Sequence, residues 1–420
     1  MKQQVIKKTK GRTRVTTSIS SIIPKEWHAE AHRCWLSGNR QEAVQIAVKH
    51  INTFGPDKPA SLVLQLAYYL FLLNDYQSAV TILEYQFLRT PDHLEIALNL
   101  AVCYSRLNRH EEAVGQANAV LAMQPDNVVA WDILANALHG LGRLPEASMA
   151  GTRALELKDR ASGSPKAGWI LLPEGSPRNY ARQDGKSDVI AFSLWGNNPR
   201  YLRGAIQNIL LAPKFFPAWT LRFYIDDSLP SEFVGLMEKL GAKVIVQHGN
   251  HTLRERLCWR LQVANDPLVG HFLVRDVDSV FGNREAQAVD AWLASDLWFH
   301  VIRDWWTHSD LILAGMWGGV AGVLPSISAM LANYLPKHLE TPNIDQWFLR
   351  DKVWAYIRQS CLVHDRCFRM PNSTQLPGPE PRGNYHIGQN EFAARYQEQE
   401  QFLRPWIEQY PCLGKIPGQD

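Results

Sequence analysis

Alanines at positions 43, 79, 113 and 147 stand 36, 34 and 34 residues apart, and each closes a similar phrase: Asn39-Arg-Gln-Glu-Ala43, Asp75-Tyr-Gln-Ser-Ala79, Arg109-His-Glu-Glu-Ala113 and Arg143-Leu-Pro-Glu-Ala147. A period near 34 commits the first third of the chain to stacked copies of one unit, because a helix pair of that length cannot bury its apolar face alone. Pro91 and Pro125, each followed by Asp, recur at the same interval. Leu36-Ser-Gly38, Leu72-Leu-Asn74, Leu107-Asn108 and Leu141-Gly142 mark the turns inside each pair.

These phrases resemble the tetratricopeptide repeat, in which small residues let two antiparallel helices pack closely and a proline closes the second. The resemblance covers residues 25–158, about four repeats, and implies an N-terminal helical solenoid with a concave surface for a protein partner or acceptor. The plainer reading is an array that caps or pairs the second domain.

A chain of 420 residues and 47.7 kDa, with 46% hydrophobic and 20% charged residues, is expected to fold as two or three domains. Its net charge is +3, but residues 1–24 carry six basic residues and no acid, which leaves −3 for the body. A mildly acidic body argues against a specific nucleic-acid partner. The basic tail reads as disordered, or as a contact for anionic lipid. The longest strictly apolar run, Leu66 to Leu73, is eight residues, so no transmembrane segment is expected. No apolar stretch follows the basic N-terminus, which points to the cytoplasm, with a peripheral membrane location open. Six cysteines are too few for a disulfide framework.

From Asp159 to Ser187 the periodicity fails, and Ser162-Gly-Ser-Pro165, Pro173, Gly175-Ser-Pro177 and Gly185 read as a linker or a wrapping segment. Residues 188–420 then begin with β-rich runs, Val189–Ser193, Leu221–Ile225, Lys243–Gln247 and His271–Val274. Helical patterns at 203–211, 231–240 and 252–264 follow the first three. That alternation predicts a mostly parallel sheet covered by helices, with ligands outside the carboxyl ends of the strands.

The fourth run leads into Arg275-Asp276-Val277-Asp278-Ser279. Two carboxylates separated by one residue share a face if the chain stays near-extended, and with diphosphate oxygens they suit Mg²⁺ or Mn²⁺. As surface turn residues they would instead pair with Arg275 and Arg284. Here the chain resembles a GT-A glycosyltransferase, whose hallmark is an Asp-x-Asp motif in this location. The resemblance implies a Rossmann-like α/β domain that moves a sugar from a nucleotide-diphosphate donor to a saccharide, lipid-linked saccharide or polypeptide acceptor. It assigns the metal to Asp276 and Asp278, with a late histidine, His386 or His364, as third ligand.

The same resemblance gives Ser193, Trp195 and Gly196 to the nucleotide pocket and Asp226-Asp227 to the base or ribose. Arg256 and Arg260, at i and i+4, would neutralise the diphosphate. The resemblance implies that Trp317 and Gly318 belong to an acceptor- or sugar-recognition loop, and Asp345 is the candidate general base if the enzyme inverts. Each has a structural alternative: a core aromatic for Trp195 and Trp317, a turn for the two acids, a helix cap for Asp345. The competing function is a non-catalytic repeat scaffold with an inactive second domain. Nucleotidyl transfer fits less well, because Gly196-Asn-Asn-Pro-Arg200 is a poor phosphate loop.

Overall fold

The structure, a computed structural model, describes residues 24, 26–171, 176–183, 185–336, 341–381 and 383–414. The basic tail, apart from Pro24, lies outside them, as do Pro173 and Gly175 of the presumed linker. Eight helices form the first third: α1 Ala29–Leu36, α2 Arg40–Asn52, α3 Ala60–Leu72, α4 Tyr76–Phe87, α5 Leu94–Arg106, α6 His110–Met123, α7 Val128–Gly140 and α8 Leu144–Ala161. Each periodic alanine is the fourth residue of an even-numbered helix and is fully buried, so nothing larger than a methyl separates the paired helices. Inside each pair the chain reverses through one left-handed residue, Gly38, Asn74, Asn108 or Gly142. Glycine and asparagine adopt that conformation at least cost, which is why the turn phrases recur in the sequence.

The remaining chain builds an eight-stranded sheet: β1 Ser187–Leu194, β2 Trp219–Ile225, β3 Lys243–Val246, β4 Val269–Arg275, β5 Phe299–Arg303, β6 Met316–Val320, β7 Cys361–Asp365 and β8 Ser373–Thr374. Its order is β3-β2-β1-β4-β6-β5-β7-β8, and β6 runs antiparallel to both neighbours while every other pair is parallel. Strands β4, β5 and β6 are buried along their whole length, as expected of a sheet covered on both faces. Helices α9 Pro177–Ala181, α10 Pro199–Phe215, α11 Ser231–Lys239, α12 Leu253–Cys258 and α13 Asn283–Ala294 connect or cover the first five strands.

One sequence expectation changes here, and one choice between alternatives is narrowed. The glycine-rich stretch around Trp317, expected as a ligand loop, is the central strand β6. The stretch expected as a linker or wrap does wrap: Trp169 donates to the Val323 carbonyl at 3.3 Å and meets Tyr356 edge-on. The repeats also dock directly on the sheet domain. Ser148 donates to the Cys367 carbonyl at 2.7 Å, Thr152 accepts from the Arg369 amide at 3.0 Å, and one apolar core runs through both regions.

At Gly151 a β-carbon would lie 2.0 Å from the Phe368 ring. Gly151→Ala is therefore expected to cost about 1–3 kcal/mol, read as a lower midpoint in chemical denaturation. An unchanged midpoint would mean that this docking contributes nothing.

Candidate functional site at the carboxyl rim of the sheet

The chain moves from β1 outward to β2 and β3, then returns to place β4 on the other side of β1. At such a switch in strand order the connections diverge and leave a crevice outside the strand ends. Asp276 and Asp278 follow β4 at that rim, and Trp195 and Gly196 follow β1 beside them.

Three ion-paired groups line the rim. Arg260 donates to Asp276 through one nitrogen and to Asp345 Oδ2 through the other at 3.0 Å, while its backbone N–H reaches Ser193 Oγ at 3.1 Å. Only 4% of the Arg260 side chain is exposed. Burial opposes its charge, but the two carboxylates outweigh that and hold its pKa above the ordinary arginine value. Asp276 is half exposed, and Gly315 admits its second oxygen, since a β-carbon there would lie 2.1 Å from it.

In the second group Asp226 accepts from Arg256 Nε at 2.9 Å and from the Ser228 amide at 3.1 Å. Burial pushes its pKa up, and these bonds more than reverse the effect. Ser228 Oγ in turn accepts from the Gly196 amide at 2.7 Å. Gly196 has φ 75° with nothing within 4 Å of a notional β-carbon, so its backbone borders open space.

The third group was missed by sequence reasoning. Asp278 accepts from Arg200 Nε at 2.7 Å. One turn further along α10, Gly204 lies against the Val277 carbonyl; one turn beyond that, Asn208 donates to the carbonyls of Val277 at 3.2 Å and Ser279 at 2.9 Å. Residues 200, 204 and 208 form one helix stripe, so an Arg-x₃-Gly-x₃-Asn spacing was the available signal. Burial, followed by the Asp276 charge, raises the Asp278 pKa, so the two acids lie within electrostatic reach of each other.

Other expected residues lie elsewhere or act differently. Arg256 and Arg260 do not converge, because α12 gives way at Trp259 to a 3₁₀ segment, Trp259–Asn265, which turns Arg260 toward Asp276 while Arg256 keeps to Asp226. Asp227 is exposed, 3.6 Å from His248. Trp195 is partly buried, edge-on to Trp259. Trp317 is wholly buried against Phe272, and Gly318 lets β6 approach the Phe272 carbonyl, so both belong to the core. Asp345 gives one oxygen to Arg260 and the other to the Gln346 amide, with 5% of its side chain exposed.

The late histidines do not join the two acids: among the described residues no three His, Cys, Asp or Glu side chains are grouped to hold a metal. His386 stacks on Trp305, with ring centroids 4.4 Å apart. His364 points into the sheet domain, where its Nδ1 meets His300 Nε2 at 2.8 Å, and burial pushes its pKa down to about 4. A histidine with a lowered folded-state pKa supports stability above the unfolded value near 6.5, and that support drains away as the pH falls below it. Between pH 7.5 and pH 5, His364→Gln is thus expected to lose about 2 kcal/mol less stability than wild type in denaturant titrations. Equal losses would show that His364 titrates normally.

A cavity of about 510 Å³ opens beside the segment that follows the two acids, lined by Val280, Gly282, Arg284, Tyr385, Ile387 and Arg395 among others.

Comparison with known proteins bears on the repeats. A family model described as a tetratricopeptide repeat matches residues 70–137, and with the helix pairs above it shows a tetratricopeptide-repeat domain. No curated protein matches the chain. Similar solved structures include a MamA fragment from Desulfovibrio magneticus RS-1, 23% identical, with TM-score 0.29 over 32% of this chain and 73% of that one. A MamA RS-1 double mutant is likewise 23% identical, with TM-score 0.30 over 32% and 73%. A further MamA crystal structure is 18% identical, with TM-score 0.28 over 31% and 75%. Among the described residues no helix is long and apolar enough to cross a membrane.

Proposed function

We propose that this chain is a metal-dependent glycosyltransferase that moves a sugar from a nucleotide-diphosphate donor to a hydroxyl or similar nucleophile, with the repeats recruiting the acceptor or a partner. The observation that supports it most is the position of Asp276 and Asp278, at the end of β4 where the strand order switches. The donor set fits Mg²⁺ or Mn²⁺. Each carboxylate gives one oxygen to an arginine, and these ions are commonly held by one or two carboxylates together with water and substrate phosphate, so a histidine ligand is not required. When bound, the ion would offset charge growing on the leaving diphosphate.

The protein's own part is positioning. Arg260 fixes Asp276, and Asp345, with both oxygens engaged, serves to hold Arg260. That role replaces the general-base role expected for Asp345. The open backbone at Gly196 gives a nucleotide room to approach, and the cavity by Arg284 and Tyr385 has the volume of a small saccharide site.

A panel of nucleotide sugars, each with and without Mn²⁺, tests the proposal by turnover and thermal stabilisation. A donor that raises Tm and is consumed only with Mn²⁺ supports it. No turnover with any donor, alongside partner capture by the repeats, supports the scaffold reading instead.

A further inference from the structure

Two arginines neutralise the two rim acids, and they are built differently. Arg260 is 4% exposed and fixed by three acceptors, the Arg275 carbonyl, Asp276 and Asp345. Arg200 projects from the first turn of α10 with 39% of its side chain exposed, and its ion-pair partner is Asp278. Asp278 itself is 11% exposed, and the guanidinium engages its Oδ2. A divalent ion on Asp278 and a guanidinium on the same carboxylate repel each other, and Arg200, the more exposed of the two arginines and otherwise held, among the described residues, only over the Tyr201 ring at 5.1 Å, is the one placed to leave. Its planar fork matches phosphate oxygens, and any donor diphosphate bound at this ion lies within reach of the same side chain.

We infer that Arg200 is the exchangeable counter-ion of this rim: it holds Asp278 until a divalent ion arrives, then moves to the diphosphate of the donor. Arg200 is a positioning residue here, and the inference rests on the transferase reading. It separates the two arginines by task, Arg260 holding the site's shape and Arg200 trading partners.

The test uses the full chain and Arg200→Ala, a partly exposed change that leaves α10 packed through Gly204 and Asn208. Calorimetric titration with MnCl₂ alone is expected to give affinity about fivefold tighter in the variant, because no side chain competes for Asp278. Titration of UDP, GDP and ADP at saturating Mn²⁺ is expected to show about tenfold weaker binding of whichever nucleotide wild type takes. Opposite signs in the two arms are what a merely structural ion pair would not produce. Unchanged or weaker Mn²⁺ binding, or unchanged nucleotide binding, overturns the exchange. If wild type binds neither Mn²⁺ nor any of the three nucleotides, the transferase reading fails as well.

Discussion

In Asp278→Asn, nucleotide-sugar turnover is expected to fall about a thousandfold, near 4 kcal/mol of transition-state stabilisation, while Tm stays level or rises. The two effects separate because the carboxylate is held against its own preference. Burial and the neighbouring charge of Asp276 both raise its pKa, so the ionised form strains the fold even with Arg200 beside it. Asparagine keeps the shape and removes the charge, and Arg200, 39% exposed, turns to water. Full turnover in the variant would remove Asp278 from the metal assignment; a large fall in Tm would make its pair with Arg200 structural.

The second large effect concerns how the repeats join the sheet domain. Lys158 of α8 is 4% exposed, with its ammonium 2.9 Å from Asp132 of α7 and 3.0 Å from Asp310 of the sheet domain; it also donates to the Ser309 carbonyl at 2.6 Å. Burial works against that charge, but the two carboxylates outweigh it and hold the pKa above the ordinary lysine value. Lys158→Met would leave Asp132 and Asp310, 30% and 19% exposed, facing each other with only the more distant charge of Arg350 to offset Asp310. The expected cost is about 3–5 kcal/mol, or roughly 10 °C in Tm. The triple change Lys158→Met, Asp132→Asn, Asp310→Asn should recover most of it, since no net charge then remains buried. A single variant as stable as wild type would mean that water reaches the cluster.

The repeats were legible because their signal is local: a small residue every 34 positions and a glycine or asparagine where each helix pair reverses. Strands β1 to β4 were legible for the same reason, as β-branched and aromatic runs between helical patterns. Strand β6 was not. Met316-Trp-Gly-Gly-Val320 contains two glycines, which weaken a strand in isolation, and only the close approach of β4 and of Phe299 explains them.

At the rim, Asp276, Arg260, Ser193 and Asp345, each a candidate from the sequence, come together in one hydrogen-bonded group. The pairing itself was hidden, because it depends on a switch from α to 3₁₀ geometry at Trp259 that helical spacing does not reveal. The Arg200 stripe was readable in principle, since 200, 204 and 208 share a face. What they face, the turn after β4, is a long-range fact of packing.

The most direct measurement is crystallographic: full-length protein soaked with Mn²⁺ and the nucleoside diphosphate it binds, with anomalous scattering used to locate the metal. The account predicts a manganese peak bonded to a carboxylate oxygen of Asp276 or Asp278, with the diphosphate completing its shell between the ends of β1 and β4. Manganese and nucleotide bound elsewhere, or a rim still closed by Arg200 at saturating concentrations of both, would contradict it.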